Sequence, residues 1–287
     1  MHFIEAKSIL TPRSMNIYRG CMHGCIYCDA RSSCYQFTHA FEDIEVKQNA
    51  PELLEAALRK KRRRCIIGTG AMGDPYIPLE KDLRIMRRCL EIINRYNFGA
   101  TLQTKSDLVL RDLDLLTGIN RKTKAVVQMT LTTADDSLCR IIEPGVCPTS
   151  RRFEVLSAFR DAGVPTAVWF SPLLPFINDT KENIDGIIDY CARAGVKAVL
   201  CFGIGLTLRD GNREYFYAAL DRHFPGLKQQ YIKTFGSSYV VSSPHEHELM
   251  LYLAELCRKN HIMLGTDSVF KWIEEFPDTD PIQPELF

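Results

Sequence analysis

Three cysteines fall within eight residues near the start of the chain, at a spacing that suits a metal centre. Cys21, Cys25 and Cys28 form a CxxxCxxC pattern, and Gly20 and Gly24 let the backbone wrap tightly around a ligand. Thiolates select zinc or iron–sulfur clusters. A structural zinc ion takes four protein ligands, whereas a four-iron cluster held by only three cysteines leaves one iron open. The zinc interpretation needs a fourth ligand from nearby: Cys34, His23 or His39.

The remaining cysteines and the net charge exclude several classes of protein. The chain has 287 residues and 11 cysteines, an odd number that cannot all pair within one chain. Its first residues carry no basic stretch followed by an apolar run, so we expect no secretory signal and a cytoplasmic location, where disulfides are rare. No apolar run approaches the roughly 20 residues of a membrane span. A net charge of +1 excludes a general nucleic-acid coat or a membrane-surface protein.

Apolar segments with strand and helix periodicity alternate along the chain. The predicted strands are 15–18, 65–68, 99–103, 125–131, 166–170 and 196–202. The predicted helices are 51–62, 79–96, 108–116, 150–162, 180–194, 213–223 and 245–260. Such alternation predicts an α/β fold with parallel strands, as an open doubly wound sheet or as a full or partial barrel. Residues 276–287 are rich in proline and are predicted to form an extended tail.

Small and polar residues follow the predicted strands, where a parallel sheet gathers its functional groups. After strands two to four, the candidate site residues are Gly70, Gly73, Asp74, Lys105, Thr130 and Thr132. Two of them have an ordinary structural alternative. Lys105 is otherwise a surface lysine that opens a loop, and Asp74 a turn residue before a proline.

The cysteine loop resembles that of the radical S-adenosylmethionine (SAM) superfamily. Its members carry CxxxCxΦC after the first barrel strand, and Tyr27 fills the aromatic position before Cys28. The resemblance implies that the three cysteines hold a [4Fe-4S] cluster, that SAM chelates the open iron and that Tyr27 belongs to the cofactor site. It also implies reductive cleavage of SAM to methionine and a 5′-deoxyadenosyl radical, which abstracts hydrogen from a substrate.

Within the superfamily, residues 14–262 resemble the spore photoproduct lyase-like branch, also called DNA repair photolyase-like. The segments that carry this resemblance are Arg19-Gly20-Cys21, Gly73–Glu80, Thr104-Lys105-Ser106, Glu143-Pro144-Gly145 and Ile177-Asn178-Asp179. The implied fold is a partial (β/α)6 TIM-type barrel with a C-terminal helical extension, which agrees with the six predicted strands. We therefore expect a barrel domain over 1–262 and a C-terminal extension with its tail over 263–287.

The same resemblance implies how SAM is held. Residues at the ends of the second to fourth strands hold its methionine group. Gly70 and Gly73 would permit a close backbone approach, and Asp74 would accept hydrogen bonds from the amino group of SAM. Lys105 would pair with the carboxylate of SAM as a point charge, and either threonine of the fourth strand would add a hydroxyl.

The implied partners are SAM, an external electron donor such as flavodoxin or ferredoxin, and a substrate that the sequence does not identify. Nucleic acid is one candidate substrate, because the branch includes DNA repair enzymes. The basic run Arg59–Arg64 is a weaker indication, since it lies between the first helix and the second strand, at the opposite end of the sheet. No membrane contact is expected.

One departure from the branch bears on the reaction. Spore photoproduct lyase carries a hydrogen-donating cysteine in the segment after strand two, and Ala71 stands at that place here. Cys139 and Cys147, after strand four, are the remaining thiol candidates, although core or surface roles suit them better. Three functions stay open: a radical SAM enzyme, lyase-like or otherwise, with an unidentified substrate; photoproduct repair; and a zinc- or cluster-binding module without catalysis.

Overall fold

Strands and helices alternate along most of the chain, as the apolar pattern predicts. The computed structural model describes residues 1–277. Its strands are β1 (His2–Ile4), β2 (Leu10–Thr11), β3 (Ser14–Met15), β4 (Tyr18–Arg19), β5 (Glu45–Lys47), β6 (Ile66–Thr69), β7 (Gly99–Thr104), β8 (Ala125–Thr130), β9 (Thr166–Trp169), β10 (Ala198–Leu200), β11 (Gly205–Thr207), β12 (Val240–Ser242) and β13 (Met263–Leu264). Its α-helices are α1 (Ala50–Lys60), α2 (Glu80–Leu83), α3 (Ile85–Arg95), α4 (Leu113–Lys122), α5 (Asp136–Ile142), α6 (Thr149–Asp161), α7 (Lys181–Arg193), α8 (Asn212–His223), α9 (Leu227–Phe235), α10 (Glu246–Lys259) and α11 (Thr266–Glu274). None of the helices within residues 1–277 is long and apolar enough to span a membrane.

An eight-stranded sheet of order β13-β10-β9-β8-β7-β6-β3-β2 forms the centre of the fold. The hairpin β2–β3 is antiparallel, and every other neighbouring pair is parallel. All six predicted strands contribute to it, and β13 adds a seventh parallel strand. In residues 1–277 the edge strands β2 and β13 do not pair with each other, so the sheet is open. The structure confirms a mixed α/β fold with a parallel sheet.

The central strand β8 shows why these sequences form buried strands. All six of its residues are buried, as expected for a parallel strand covered on both faces. Val127 and Met129 point to one face and join the main apolar core. On the other face, Val126 packs with Val269 and Ile273 of α11. We call this second face the cavity face, because the site described below lies on it.

Three predicted elements are each divided into two in the structure. The predicted strand 15–18 is divided between β3, in the main sheet, and β4, in a separate three-stranded sheet with β5 and β1. The predicted helix 108–116 begins as a 3₁₀ helix over Asp107–Asp112 and becomes α-helical only at Leu113.

The predicted helix 79–96 is broken into α2 and α3 at Arg84, which has the left-handed φ of 51°. The buried carboxylate of Glu80 causes the break. It accepts hydrogen bonds from the N–H groups of Ile85 and Met86, both at 3.0 Å, and so caps the start of α3. Apolar periodicity continues across the break, which is why the sequence pattern predicted one helix.

The C-terminal extension packs on the main sheet as far as it is described. Strand β13 pairs with β10, and α11 covers part of the cavity face. Of the predicted tail 276–287, residues 278–287 lie outside the described part of the chain. The domain division at residue 262 stays a prediction.

Candidate functional site

A cavity of about 430 Å³ opens at the carboxyl ends of the parallel strands. Its walls come from the cysteine loop, from the segments that follow β6 to β10, and from the β11–β12 hairpin. All but one of the predicted site residues line it: Cys21, Cys25, Cys28, Tyr27, Gly70, Gly73, Asp74, Lys105 and Thr130. The structure therefore brings together residues that are more than 100 positions apart in the sequence.

The spacing of the three cysteine sulfurs distinguishes between the two predicted metal centres. Around a tetrahedral zinc ion, sulfur ligands lie about 3.8 Å apart, given a Zn–S bond of about 2.3 Å. Within residues 1–277, Cys21, Cys25 and Cys28 do not form a group whose sulfurs all lie within 4.8 Å of one another. At least one pair of these sulfurs is therefore more than 4.8 Å apart, which is too far for three ligands of one zinc ion. A cluster in which each thiolate binds a different iron allows such a separation.

Burial keeps these thiols protonated until a metal binds. It raises the pKa of Cys21 to about 12, with a further contribution from Asp74, and it also raises the pKa of Cys25 and Cys28. Lys105 opposes this increase at Cys25 and Cys28. Cluster assembly in this loop must therefore release protons.

The three candidate fourth ligands for zinc have other partners. His23 Nε2 lies 3.0 Å from Asp74 Oδ2, and His39 Nε2 lies 2.8 Å from Glu45 Oε1. Cys34 is exposed, and its sulfur lies 3.1 Å from an Arg209 nitrogen in a separate surface cleft. Cys34 and His39 do not line the cavity.

Lys105 is suited to pair with an anionic ligand. It follows β7 and lines the cavity, where its Nζ makes no hydrogen bond or ion pair with residues 1–277 and lies 5.9 Å from the centre of the Tyr27 ring. Burial opposes its charge, but electrostatic interactions with Cys25, Glu143 and Asp74 raise its pKa above the ordinary value. A charged ammonium in a cavity fits the predicted role of holding a carboxylate.

Asp74 also lines the cavity, but its carboxylate is largely occupied by the protein. Oδ1 accepts hydrogen bonds from the Tyr76 N–H (2.8 Å) and the Thr104 hydroxyl (2.7 Å), and Oδ2 accepts one from the Lys105 N–H (2.7 Å). Burial alone would raise the pKa of Asp74, but His23 and these hydrogen bonds lower it to about 2. Asp74 thus ties the loop after β6 to the end of β7.

The two threonines of the fourth strand differ in position. Thr130 lines the cavity, and its oxygen accepts a 3.4 Å hydrogen bond from the Gln103 amide. Thr132 is fully buried outside the lining, and its hydroxyl donates to Glu143 at 3.3 Å. Of the two threonines, only Thr130 lines the cavity.

Position 70 must be a glycine, because its backbone passes close to the neighbouring strand β7. Its φ is +102°, and a Cβ at this position would lie 2.2 Å from the Gln103 carbonyl oxygen. A Cβ on Gly73 would lie 3.2 Å from the Gly20 carbonyl oxygen. Both glycines therefore let the loop after β6 pack against its neighbours while its backbone lines the cavity.

The sequence model of the radical SAM superfamily matches residues 15–191, more than half of the chain. This chain belongs to the radical SAM superfamily. The superfamily uses a [4Fe-4S] cluster and SAM, which are the cofactors of this chain. The cavity already described has the donor set that both groups need.

Proteins of other organisms are similar to this chain in sequence. An uncharacterized protein of Mycobacterium tuberculosis (strain H37Rv) is 31% identical over 229 residues, which cover 76% of this chain and 65% of the relative. An uncharacterized protein of Methanocaldococcus jannaschii is 30% identical, covering 63% of this chain and 70% of the relative. This chain thus spans slightly less than two thirds of the mycobacterial relative.

Among solved structures, spore photoproduct lyase complexed with dinucleoside spore photoproduct is similar to this radical SAM chain. The TM-score is 0.65 at 13% identity, with 91% of this chain and 80% of that chain covered. A mutant of the same lyase with bound AdoMet and dinucleoside spore photoproduct gives a TM-score of 0.63 at 14% identity, over 88% of this chain and 75% of that one. This likeness concerns the fold.

A buried ion pair lies next to the cysteine loop, and the sequence analysis gave neither of its residues a role. Glu143 and Arg152 are fully buried, with Arg152 Nη2 2.6 Å from Glu143 Oε2. The Tyr27 hydroxyl donates to Glu143 Oε1. The positive charges of Arg152 and Lys105 outweigh burial and lower the pKa of Glu143. In the sequence, Glu143 appeared only within Glu143-Pro144-Gly145, a segment that resembles the spore photoproduct lyase-like branch. No function was assigned to that segment.

The thiols that follow β8 do not reach the cavity lining. Cys139 is buried, and its sulfur lies 3.3 Å from Arg152 Nη2 and 3.6 Å from Glu143 Oε2. The sulfur of Cys147 lies 3.4 Å from the Lys105 carbonyl oxygen. Among residues 1–277, the cavity is lined by Ala71 and by no cysteine other than the three of the loop.

Proposed function

We propose that this protein is a radical SAM enzyme in which Cys21, Cys25 and Cys28 hold a [4Fe-4S] cluster and the loops after β6, β7 and β8 hold SAM. The observation that supports this most is that the three loop cysteines and Lys105, whose ammonium has no partner in residues 1–277, line one cavity. When bound, the reduced cluster supplies the electron that cleaves SAM to methionine and a 5′-deoxyadenosyl radical. The radical abstracts hydrogen from a substrate.

Different residues of the chain recognise the carboxylate and the amino group of SAM. Lys105 pairs with the carboxylate of SAM, and the Thr130 hydroxyl donates to the same group. Residues 71–73 line the cavity, and their carbonyl groups accept no hydrogen bond from residues 1–277, so these carbonyls are available for the amino group. Asp74, whose carboxylate is already engaged, positions this loop rather than serving as the main acceptor.

The fold around the cavity, the electron donor and the substrate belong to the same proposal. The parallel sheet forms a partial barrel around the cavity, within a domain of residues 1–262 that 263–287 extend. An external donor such as flavodoxin or ferredoxin supplies the electron in the cytoplasm. Nucleic acid is one candidate substrate, but the basic run Arg59–Arg64 does not support it, because none of its residues lines the cavity. A zinc module is disfavoured by the sulfur spacing.

The direct test is reductive cleavage of SAM. Protein reconstituted anaerobically with iron and sulfide is reduced with dithionite in the presence of SAM, and 5′-deoxyadenosine is measured by chromatography. We expect formation of 5′-deoxyadenosine by the wild type and none by Cys25→Ala. A fully loaded, reducible cluster that binds SAM without cleaving it would refute the proposal. Transfer of deuterium from a labelled candidate substrate into 5′-deoxyadenosine would then identify the substrate.

A further inference from the structure

Two histidines and a glutamate meet at the three-stranded sheet of β1, β5 and β4. His2 lies on β1, His39 lies in the loop before β5, and Glu45 begins β5. One potential metal-ligand atom of each side chain lies within 4.8 Å of those of the other two. We call these three residues the histidine–glutamate cluster. None of them lines the cavity, so the cluster is separate from the proposed cofactor site.

The hydrogen bonds of the two histidines leave the same ring nitrogen for a ligand. His2 Nδ1 lies 3.1 Å from Asp43 Oδ2, and His39 Nδ1 lies 2.9 Å from the Ala40 carbonyl oxygen. Because an ionised carboxylate and a carbonyl only accept hydrogen bonds, Nδ1 carries the proton in each ring. Nε2 then holds a lone pair when the ring is neutral. Metal-binding histidines are usually oriented in this way, with the other ring nitrogen donating to a carboxylate or a backbone carbonyl.

Glu45 adds a carboxylate to this donor set and keeps its other partner. Its Oε1 accepts a hydrogen bond from Arg19 Nη1 at 3.0 Å, whereas its Oε2 accepts none from residues 1–277. His39 Nε2 lies 2.8 Å from Glu45 Oε1. The lone pair of a neutral ring would therefore face a negative oxygen unless a proton or a metal ion lies between them. A proton joins only these two groups, whereas a metal ion also uses the nearby His2.

The three side chains can close on one ion by small rotations. Nitrogen and oxygen ligands bonded to zinc at about 2.0–2.2 Å lie about 3.4 Å apart in a tetrahedral site. The side chains of His39 and Glu45 are 18% and 12% exposed, while that of His2 is 42% exposed and has room to rotate. Imidazole and carboxylate ligands together suit zinc, and three protein ligands leave one position for water.

We propose that the histidine–glutamate cluster binds a zinc ion, at a site independent of the iron–sulfur cluster and of SAM. The ion joins β1 to residues 39–45. This segment contacts the start of the cysteine loop, because the Cys21 N–H donates to the Phe41 carbonyl at 3.3 Å. Bound zinc therefore stabilises the backbone from which the three cysteines of the loop project.

Zinc binding is measured on the holoenzyme, in which the iron–sulfur cluster occupies the loop cysteines. Tag-free protein is reconstituted with iron and sulfide, washed with a chelator and dialysed anaerobically against a series of zinc chloride concentrations, and bound zinc and iron are determined. We expect one zinc ion per chain in the wild type. His2→Ala and His39→Ala should each bind zinc at least about tenfold more weakly, because a ligand is lost, and should keep their iron. His223→Ala, which removes an exposed histidine at the end of α8, is the matched control.

X-ray absorption at the zinc edge identifies the ligands directly. We expect imidazole nitrogen and carboxylate oxygen at about 2.0–2.2 Å in the zinc-loaded wild type. Sulfur ligands at about 2.3 Å would place the zinc on cysteines and overturn the proposal. No bound zinc in the wild type, or unchanged zinc affinity in His2→Ala, would also overturn it, since an ordinary ion pair between His39 and Glu45 would then account for the contact. His2→Ala removes a half-exposed side chain, so it should fold even if His39→Ala does not.

Discussion

Two charged residues of the cavity, Lys105 and Asp74, illustrate how residue type and residue role differ. The family resemblance implied that both hold SAM, with Asp74 accepting from its amino group and Lys105 pairing with its carboxylate. The structure gives Asp74 three hydrogen bonds from Tyr76, Thr104 and the Lys105 backbone, whereas the Lys105 ammonium has no partner in residues 1–277. Spacing in the sequence cannot reveal such internal partners.

The free ammonium leads to a prediction for Lys105→Ala. The variant should assemble a normal cluster but bind SAM roughly ten- to hundredfold more weakly, because one charge-assisted contact of about 1.5–3 kcal/mol is lost. Calorimetric titration of anaerobically reconstituted protein measures the change. Lys60→Ala, at the surface end of α1, is the matched control and should bind SAM as the wild type does. Unchanged affinity in Lys105→Ala, with the cluster intact, would remove this lysine from the site.

The three loop cysteines lead to a prediction about cluster content. Cys21→Ala, Cys25→Ala and Cys28→Ala should each prevent assembly, because each thiolate holds a different iron. Cys34→Ala should keep wild-type iron and sulfide, since Cys34 is exposed and lies outside the cavity. Iron and sulfide are determined after anaerobic reconstitution. If Cys34→Ala lost the cluster while one of the other variants kept it, the ligand assignment would be wrong.

At the scale of elements, the loop after β6 is held by a buried carboxylate that sequence analysis did not single out. Glu80 caps α3, accepts a hydrogen bond from Tyr18 at 2.5 Å and pairs with Arg111 at 2.7 Å. It joins the strand before the cysteine loop to the helix that follows the segment proposed to bind SAM. Leu83, Met86 and their neighbours keep helical spacing throughout, so periodicity could not reveal this role.

Glu80→Ala should therefore be among the most destabilising substitutions in the chain. It leaves the buried Tyr18 hydroxyl without its acceptor, removes one of the two carboxylate partners of Arg111, since Asp112 keeps the other, and removes a cap, a combined cost of about 2–4 kcal/mol in the free energy of unfolding. Urea denaturation of the metal-free, reduced protein measures it. Glu80→Gln should cost less, because the amide keeps the shape and one acceptor. Glu91→Gln, on the exposed face of α3, is the control. An unchanged urea midpoint in Glu80→Ala would contradict this account.

At the scale of the whole molecule, the parallel sheet was readable from sequence because its strands are locally apolar and end at polar residues. β8 and its neighbours form such runs, and the position of the cavity followed from the residues after them. The pairs β1–β5 and β11–β12 were not predicted, since strands of three residues are defined by distant partners. Trp169 and Phe202 belong to the fifth and sixth predicted strands, and only the structure shows that both line the cavity.

The distribution of thiols over the molecule leads to the last prediction, that this enzyme does not turn over thymine photoproduct as spore photoproduct lyase does. A carbon radical left on a repaired base needs a hydrogen atom from a weak bond. Ala71 occupies the place where the resemblance implies a thiol, and Cys139 and Cys147 lie outside the cavity lining. Reduced, reconstituted protein is incubated with SAM and dinucleoside photoproduct, and thymine products and 5′-deoxyadenosine are followed together by chromatography. We expect 5′-deoxyadenosine without clean repair, so the cleavage product itself shows that the enzyme was active. Multiple turnovers to intact thymine would contradict the prediction and would direct the search for a donor to Tyr35, whose phenol lines the cavity.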